Sequence, residues 1–304
     1  MPKIPHRDEL VNVPEFEDAA RAVLAPEVFA TIAGGDRAGF DRITFRPRMM
    51  VPTPDLDLTV RLFGATHFAP LIVGPVADQR RFHSEGELAT LRGAAAAHTA
   101  MIVSSRSSVP LAQIARPPDL PLWFAVYCDA DARRRIDEAQ ALGCAVTCIS
   151  ADPGKTLEWR RIEAIRQALT MPVVIKGVMS PDDAATAIGL GAKAVIVSDH
   201  GAGGSGRPSP IEALPAIVEK CAGRIDVLVD GGFRRGSDVA KALALGARGV
   251  LLGRPIMWGL AAYGADGVQS VLALLQNELA RTMGSLGANS LEQLSPAMIR
   301  IHRR

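Results

Sequence analysis

The chain reads PVVIKG at Pro172–Gly177, AVIVSD at Ala194–Asp199, VLVDGG at Val227–Gly232 and GVLLGR at Gly249–Arg254. Each segment is a short run of mostly Val, Ile and Leu that ends in polar or small residues. Continuous apolar runs of this length are typical of strands that are buried on both faces, as in a parallel sheet. The second half of the chain therefore predicts four buried parallel strands.

Similar runs extend this pattern toward the N-terminus, at Leu71–Gly74, Met101–Ser104, Leu122–Tyr127 and Ala145–Ser150. Helical periodicity fills the intervals at Ala130–Leu142, Leu157–Leu169, Ser180–Leu190 and Gly236–Leu245. Gly143, Gly191 and Gly246 each follow one of these segments, where a left-handed C-cap favours glycine. Eight strand–helix units predict an α/β fold of the closed (β/α)8 TIM-barrel type. An open doubly wound sheet is the alternative.

The sequence has no internal repeat at solenoid spacing, no low-complexity tract and no flexible linker, so we predict a single domain over residues 1–304. Residues 1–69 form an N-terminal extension, 70–258 the barrel and 259–304 a C-terminal segment that is helical to about Met283. Within the extension, Pro26–Ile32 predicts a helix. Phe45–Met50 and Leu58–Phe63 predict a β pair that closes the bottom of the barrel.

Composition excludes several classes of function. The 304 residues are 48% apolar and 5% aromatic, and 34 Lys+Arg nearly balance 32 Asp+Glu. No strong field for nucleic acid or an anionic membrane follows, and stacking platforms for bases are not expected. No uncharged apolar stretch is long enough to span a bilayer, and the N-terminus lacks the apolar run of a signal peptide. We expect a cytoplasmic protein.

The ends of the last two predicted strands carry an anion-binding pattern. Asp230, Gly231, Gly232 and Arg234 follow one strand, and Gly253 and Arg254 follow the other. Glycines let backbone N–H groups approach an anion, and arginines grip it bidentately. Barrels often bind phosphate at this place. The alternative is that the glycines only form tight turns and the arginines are solvated.

Two further strand ends carry candidate catalytic groups. Lys176 ends an apolar strand and should point into the barrel mouth, where a lone cation needs an anion or an electron-rich ring. A structural pair with Asp199 or Asp230 is the alternative. His200 follows the sixth strand, where a neutral imidazole serves as a general base. With one histidine at the rim and no cysteine cluster, we expect no catalytic metal.

The segment Gly201–Gly206 (GAGGSG) matches the glycine spacing of a dinucleotide-binding motif and follows a strand. That motif should run directly into a helix. Here Arg207, Pro208, Ser209 and Pro210 intervene. The segment is therefore interpreted as a flexible loop at the rim of the barrel.

Several of these segments together resemble the FMN-dependent α-hydroxy acid oxidases, a family that includes glycolate and lactate oxidases. The similarity covers most of the chain and is strongest at ITFRP (Ile43–Pro47), HSEGE (His83–Glu87), PVVIKGV (Pro172–Val178), VIVSDHG (Val195–Gly201), VLVDGGFRRGSDVAKALALGARG (Val227–Gly249) and GRP (Gly253–Pro255). The resemblance implies FMN as cofactor, a TIM barrel as fold, and a homo-oligomer, often a tetramer.

The resemblance also implies roles for individual residues. Lys176 would lie beside the N1/O2 edge of the flavin, and His200 would take the proton of the substrate hydroxyl. Asp230 would bind the ribityl hydroxyls. The remaining cofactor contacts implied are Ala77 on the ring, Ser104 and Ser198 on the flavin or its ribityl chain, and Gly232, Arg234, Gly253 and Arg254 on the phosphate.

The substrate side departs from the family pattern. Thr31 stands where the family has a tyrosine, Gly203 where it has a carboxylate-binding arginine, and Arg106 where it has an aromatic residue. Arg207 is the nearest candidate to replace the arginine. The expected tyrosine after the third strand aligns with Ala125 or, after a short slip, with Tyr127.

The segment after the fourth strand departs as well. The family carries an aspartate there, which pairs with the histidine, and then a long loop with another arginine. Asp152 can supply the carboxylate only if the chain shifts by one residue, and the long loop is absent.

Three hypotheses follow. The first is an FMN-dependent oxidoreductase whose substrate differs from glycolate or lactate, is small or carrier-bound, and has its anion held by Arg106 and Arg207. The second is an FMN enzyme without net oxidation, such as an isomerase. The third is a non-catalytic flavin-binding protein.

Overall fold

The computed structural model describes residues 4–48, 51–114, 120–150, 159–203 and 206–302. Eight parallel strands form a barrel: β4 Leu71–Val73, β5 Ala100–Ser104, β6 Leu122–Tyr127, β7 Val146–Ser150, β8 Val173–Val178, β9 Ala194–Val197, β10 Asp226–Val229 and β11 Gly249–Leu252. The barrel is closed, and neighbours pair in the order β10-β11-β4-β5-β6-β7-β8-β9. All eight predicted strands and the closed barrel are confirmed. The open-sheet alternative is wrong because β11 pairs with β4 and leaves no edge.

Helices cover the outside of the barrel: α4 Glu87–Ala96, α5 Ala132–Ala141, α6 Trp159–Gln167, α7 Pro181–Gly189, α8 Pro210–Cys221 and α9 Gly236–Ala244. The predicted glycine caps are confirmed, since Gly143, Gly191 and Gly246 have φ of +84°, +75° and +100°. The Ser180 side chain caps α7 by accepting the Asp183 N–H. Because α8 begins only at Pro210, the described part of Gly201–Gly206 lies in a loop, as predicted.

Successive side chains along each strand point alternately into the barrel interior and toward the surrounding helices. The interior core contains Ile102 of β5, Cys148 of β7, Val174 of β8 and Leu228 of β10, all less than 1% exposed. Two residues further along each strand, on the same face, the side chains reach the mouth of the barrel. These positions are Ser104, Ser150, Lys176 and Asp230, so the register that fills the core also places polar groups at the mouth.

The N-terminal β pair was predicted with the wrong partners. β1 (Ile43–Phe45) pairs antiparallel with the C-terminal strand β12 (Ile299–Ile301). β2 (Val60–Leu62) instead forms a hairpin with β3 (Ala65–His67), and its Val60 and Leu62 side chains close the bottom of the barrel. The turn of this hairpin is Phe63-Gly64, and both residues have positive φ. Such turns favour Asn-Gly or Gly-Gly. Phe63 does not match this preference, so the turn could not be recognised from the sequence.

The chain ends pack together on one side of the barrel. The helices are α1 Val13–Val23, α2 Pro26–Ala30, α3 Ala38–Asp41 and α10 Arg254–Leu286. α10 begins earlier than predicted, directly after β11, and is kinked at Tyr263 and Gly264. The Trp258 Nε1–H donates to the Ile32 carbonyl at 3.0 Å, which fixes the segment after α2 beside the barrel mouth.

No helix among the described ranges is both long and apolar enough to cross a membrane. The four cysteines form no disulfide.

Candidate active site

A cavity of about 280 Å³ opens at the C-terminal ends of the strands. Its walls combine strand-end residues with residues from the segment after α2. The predicted site residues that line it are Ser104, Tyr127, Lys176, His200, Asp230, Gly231, Gly232, Arg234, Gly253 and Arg254. The structure thus gathers most of the predicted site in one place, as the position of active sites in such barrels leads us to expect.

Two arginines converge at one end of the cavity. A Cβ built on Gly35 would lie 3.0 Å from Arg234 Nη2 and 3.1 Å from Arg254 Nη1, so both guanidinium groups face the Gly35 backbone. Arg254 Nη2 also donates to the Gly201 carbonyl at 2.9 Å. Two cations held this close together offer a fixed site for a multiply charged anion such as phosphate.

Two hydrogen bonds and one aromatic ring fix the Arg234 side chain. Its Nη1 donates to the Phe233 carbonyl at 2.7 Å and its Nη2 to the Gly34 carbonyl at 2.6 Å. The guanidinium lies 4.3 Å from the centroid of the Trp258 ring. Burial lowers the pKa of Arg234 to about 10, which still leaves it charged at neutral pH.

The contacts of residues 230–238 (DGGFRRGSD) explain why these residue types occur in this order. Gly232 has φ +78°, and a Cβ there would come within 2.5 Å of the Asp36 carbonyl oxygen. Arg37 Nη1 donates to the Gly232 carbonyl at 2.6 Å and pairs with Asp238 at 2.8 Å. Asp238 also accepts the Arg234 N–H at 3.0 Å. The motif therefore fixes both the glycine turn and the backbone of the anion-binding arginine.

Lys176 is a buried cation in the wall of the cavity. Its side chain is 7% exposed, and its Nζ lies 2.7 Å from Asp230 Oδ2. Nζ also donates to Ser198 Oγ at 2.5 Å. The structural pair with Asp230, an alternative in the sequence interpretation, is therefore present. Lys176 nevertheless lines the cavity, so the pair does not separate it from a ligand.

His200 stands beside this pair. Its backbone has φ +57°, in the left-handed region. Ser198 Oγ accepts the His200 N–H at 3.2 Å. The Asp199 carboxylate accepts the Gly201 N–H at 2.8 Å and the Gly203 N–H at 3.1 Å. Asp199 thus stabilises the turn that carries the imidazole.

The substrate side contains different groups from those of the family pattern. Thr31 lines the cavity, and its hydroxyl donates to the Val28 carbonyl. The Arg106 guanidinium lies 3.7 Å from the centroid of the Tyr127 ring. A Cβ on Gly203 would lie 3.2 Å from Asp36 Cβ, so that position faces the N-terminal extension.

Five predicted residues are not found in the cavity wall. Arg106 stacks on the Tyr127 ring and is not among the lining residues. Arg207 is exposed in the rim loop and does not line the cavity. Ala77 is half-buried next to Val76, which does line it. Ser198 lies behind Lys176 as its hydrogen-bond acceptor. Asp152 lies outside the described residues.

The sequence interpretation missed the contribution of the N-terminal extension. Gly34, Gly35, Asp36 and Arg37 cover the anion-binding end of the cavity. The adjacent glycines were a signal for a close backbone approach. Nothing in their position indicated contact with residues some 200 positions later.

The residues at the mouth fit FMN. Two charged guanidinium groups suit a phosphate. Asp230 Oδ1 is buried and accepts no hydrogen bond within the described part of the chain, as expected of a group that receives ligand hydroxyls. The Lys176 cation suits a ring that gains negative charge on reduction. The mouth of this barrel therefore fits a flavin-binding enzyme.

The comparisons with known proteins agree. The chain belongs to the FMN-dependent dehydrogenase family, whose model matches residues 30–156 and 153–301. It is 33% identical to an L-lactate oxidase of Nostoc sp. over 96% of this chain and 98% of the relative. It is 35% identical to a 4-hydroxymandelate oxidase of Amycolatopsis orientalis over 92% and 96%. The protein is therefore an FMN-dependent oxidoreductase that acts on CH–OH groups.

Solved structures share the fold. A mandelate oxidase complex superposes with a TM-score of 0.88 at 35% identity, covering 97% of this chain and all of the other. A flavocytochrome b2 mutant superposes with a TM-score of 0.90 at 26% identity, covering 97% and 88%.

The relatives carry insertions that this chain lacks. The alignment with the lactate oxidase extends over 359 positions, although this chain has only 304 residues. The two segments of the family match meet at residues 153–156, after β7. This is where the sequence lacks the long loop of the family.

Proposed function

We propose that the protein oxidises the CH–OH group of a 2-hydroxy acid or a related alcohol, and that this substrate differs from glycolate and lactate. The observation that carries the proposal is the contrast within one cavity. Four groups suited to FMN, those of Arg234, Arg254, Lys176 and Asp230, line this cavity. The family's carboxylate clamp is replaced, since position 203 is a glycine that faces Asp36.

The cofactor side is proposed as follows. FMN, when bound, would supply the acceptor for the two electrons that leave with the substrate C–H hydrogen. Arg234 and Arg254 bind the phosphate, together with the Gly231, Gly232 and Gly253 backbone. Asp230 would accept from ribityl hydroxyls, and Ser104, which lines the cavity, would contact the flavin. Ser198 would act through Lys176, which donates to it, and Ala77 stays a candidate beside Val76 of the cavity wall. Lys176 places its positive charge where negative charge accumulates, which lowers the free energy of the reduced state.

His200 is proposed as the general base. The substrate carbon is oxidised from CH–OH to C=O, and the hydroxyl proton passes to a ring nitrogen of His200. Ser198 and Asp199 hold the backbone of this turn, so the imidazole is oriented before the substrate binds. Tyr127 and Asp152 remain the candidates to assist this base, as the resemblance implies.

The altered specificity is proposed from four positions. Thr31 lacks the phenol that would contact a substrate carboxylate, and Gly203 lacks the guanidinium. Arg106 and Arg207 are the candidate replacements, at different places on the rim. Bidentate contacts provide both affinity and orientation for a carboxylate, so a clamp in another place selects another substrate. The proposal includes a substrate that is attached to a carrier.

Anaerobic reduction of the bound flavin tests the proposal. The FMN-loaded protein is mixed without oxygen with a panel of 2-hydroxy acids, and loss of the visible flavin band is followed. We expect some members to bleach the flavin faster than glycolate or lactate does. Rapid bleaching by glycolate and lactate would refute the altered specificity.

The His200→Asn variant separates catalysis from binding. We expect it to retain FMN and to lose flavin reduction by about 10²- to 10⁴-fold. An unchanged rate would remove His200 as the base. If no compound reduces the flavin of the native protein while dithionite does, the non-catalytic or isomerase hypothesis replaces this one.

Two expectations from the sequence accompany the proposal. The protein is a cytoplasmic homo-oligomer, a tetramer by resemblance. Light scattering after size exclusion tests the assembly, and fractionation of cells tests the compartment.

A further inference from the structure

Residues 34–37, the GGDR segment, join the N-terminal extension to the anion-binding end of the cavity. The Gly34 carbonyl accepts a hydrogen bond from Arg234 Nη2 at 2.6 Å. A Cβ built on Gly35 would lie 3.0 Å from Arg234 Nη2 and 3.1 Å from Arg254 Nη1. The backbone of the GGDR segment therefore lies against two guanidinium groups that line the cavity.

Arg37 ties the GGDR segment to the turn that follows β10. Its Nη1 donates to the Gly232 carbonyl at 2.6 Å and lies 2.8 Å from Asp238 Oδ2. The Asp238 side chain is only 3% exposed and also accepts the Arg234 N–H at 3.0 Å. Removal of Arg37 would therefore release the glycine turn and leave a buried carboxylate without this cation.

Glu17 of α1 holds the other end of the GGDR segment. Its Oε1 accepts the Gly34 N–H at 2.6 Å. Burial lowers the pKa of Arg234, and the negative charge of Glu17 opposes this shift. Gly34 thus connects a carboxylate on α1 with the guanidinium of Arg234, through its N–H on one side and its carbonyl on the other.

We infer that the GGDR segment positions the phosphate-binding guanidinium groups, with Glu17 and Arg37 as the positioning residues. Neither of these two side chains lines the cavity, so each acts through its hydrogen bonds to the groups that do. A guanidinium that is already oriented loses less side-chain entropy when it binds phosphate. The inference rests on the proposed function, in which the FMN phosphate binds at Arg234 and Arg254.

A pair of glycine variants tests the contact at Gly35. Gly35→Ala places a methyl group against both guanidinium groups, whereas a Cβ on Gly64, in the β2–β3 turn, meets nothing within 4 Å. Both glycines have positive φ, +137° and +84°, so both variants strain the backbone. We expect Gly35→Ala to weaken FMN binding roughly 10-fold while riboflavin, which lacks the phosphate, binds as to the native protein. Gly64→Ala should leave both dissociation constants unchanged.

Arg37→Gln tests the second contact. We expect it to weaken FMN binding roughly 10-fold and to leave riboflavin binding unchanged. Arg37→Lys keeps the charge beside Asp238 and should recover part of the loss. Arg133→Gln is the matched control, because Arg133 also donates to a carbonyl, that of Ala168 at 2.6 Å, and pairs with a carboxylate, that of Asp137 at 2.9 Å. Arg133 does not line the cavity, so both dissociation constants should stay native.

Glu17→Ala tests the third contact. Alanine is compatible with α1, so the helix should be retained. FMN binding should weaken roughly 3- to 10-fold, again without a change for riboflavin. Asp18→Ala removes an exposed carboxylate from the same helix and should have no effect on either ligand.

Fluorescence titration of the FMN-free proteins gives the dissociation constants for FMN and for riboflavin. Their ratio separates positioning of the phosphate site from a general loss of stability, because a destabilised barrel binds both flavins more weakly. Native FMN affinity in Gly35→Ala and Arg37→Gln overturns the inference, and so does an equal loss of affinity for the two flavins.

A native protein that takes up neither flavin contradicts the proposed function instead. Calorimetric titration with inorganic phosphate then still decides the inference. We expect phosphate to bind more weakly to Gly35→Ala than to the native protein, and equal binding would overturn the positioning role.

Discussion

The imidazole of His200 lies against the backbone of Gly177, the residue that follows Lys176. A Cβ built on Gly177 would come to 2.6 Å from His200 Nε2, and Gly177 itself has φ +103°. A methyl group cannot occupy that space unless the imidazole moves. The missing side chain at position 177 therefore helps to position the proposed base.

Gly177→Ala should displace the base without removing it. Misplacement of a catalytic group by about 1 Å costs roughly 100-fold in rate, so we expect a fall of that order in the flavin reduction rate with FMN still bound. Stopped-flow reduction under anaerobic conditions measures it.

Gly223→Ala is the matched control for backbone strain. Gly223 also has positive φ (+71°), but nothing lies within 4 Å of a Cβ there. Both variants should lose roughly 1 kcal/mol of stability, and only Gly177→Ala should lose rate. Equal rates in the two variants would remove the positioning role.

Lys176 and Asp230 form a buried pair, and breaking it should leave an uncompensated carboxylate. Lys176→Met is expected to lower the free energy of unfolding by about 3 kcal/mol in FMN-free protein. The double variant Lys176→Met/Asp230→Asn should recover part of that loss, because the buried charge is gone. Urea unfolding of the native protein, the single variants Lys176→Met and Asp230→Asn, and the double variant measures the coupling. Additive losses would show that the two groups do not stabilise each other.

Arg254 should recognise the phosphate of FMN rather than the flavin ring. Arg254→Gln is expected to weaken FMN binding roughly 10- to 100-fold while riboflavin binding is unchanged. Fluorescence titration of the native protein and the variant gives the dissociation constants for FMN and for riboflavin. Arg235→Gln is the control, since Arg235 pairs outside the cavity with Glu278 at 2.9 Å. If Arg254→Gln lost as much affinity for riboflavin as for FMN, Arg254 would not be the residue that binds the phosphate.

Cys148 lies in the barrel interior beneath the Lys176–Asp230 pair, and burial raises its pKa to about 12. Its thiol should therefore stay protonated and unmodified at pH 8, while the half-buried Cys128 is alkylated first. Mass spectrometry after iodoacetamide treatment measures the order of labelling. Alkylation of Cys148 before Cys128 in folded protein would contradict its buried position.

The same raised pKa has a consequence for stability. The unfolded thiol releases its proton near its model value of 9.0, whereas the folded thiol keeps it to about pH 12. Cys148 therefore makes its full contribution to the free energy of unfolding below pH 9, and this contribution is lost progressively as pH rises toward 12. Between these values the native protein should lose more stability than Cys148→Ala does, as urea unfolding at several pH values would measure.

The barrel could be predicted from the sequence because each strand is a continuous apolar run followed by polar residues. The same pattern located Lys176, His200 and Asp230, since the strand ends of a barrel converge. The β2–β3 hairpin was not recognised because Phe63 occupies a turn position that favours glycine or asparagine. The Arg234 side chain contacts the backbone of Gly34 and Gly35, which lie far away in the sequence, and no local pattern encodes this contact.

The visible spectrum of the purified protein tests the central claim most directly. We propose that the strand ends of the barrel bind FMN through Arg234, Arg254, Asp230 and Lys176. We predict a yellow protein that holds one FMN per chain, loses its colour when the flavin is removed and recovers it when FMN is added back. A colourless protein that takes up no FMN at high concentration would contradict the account.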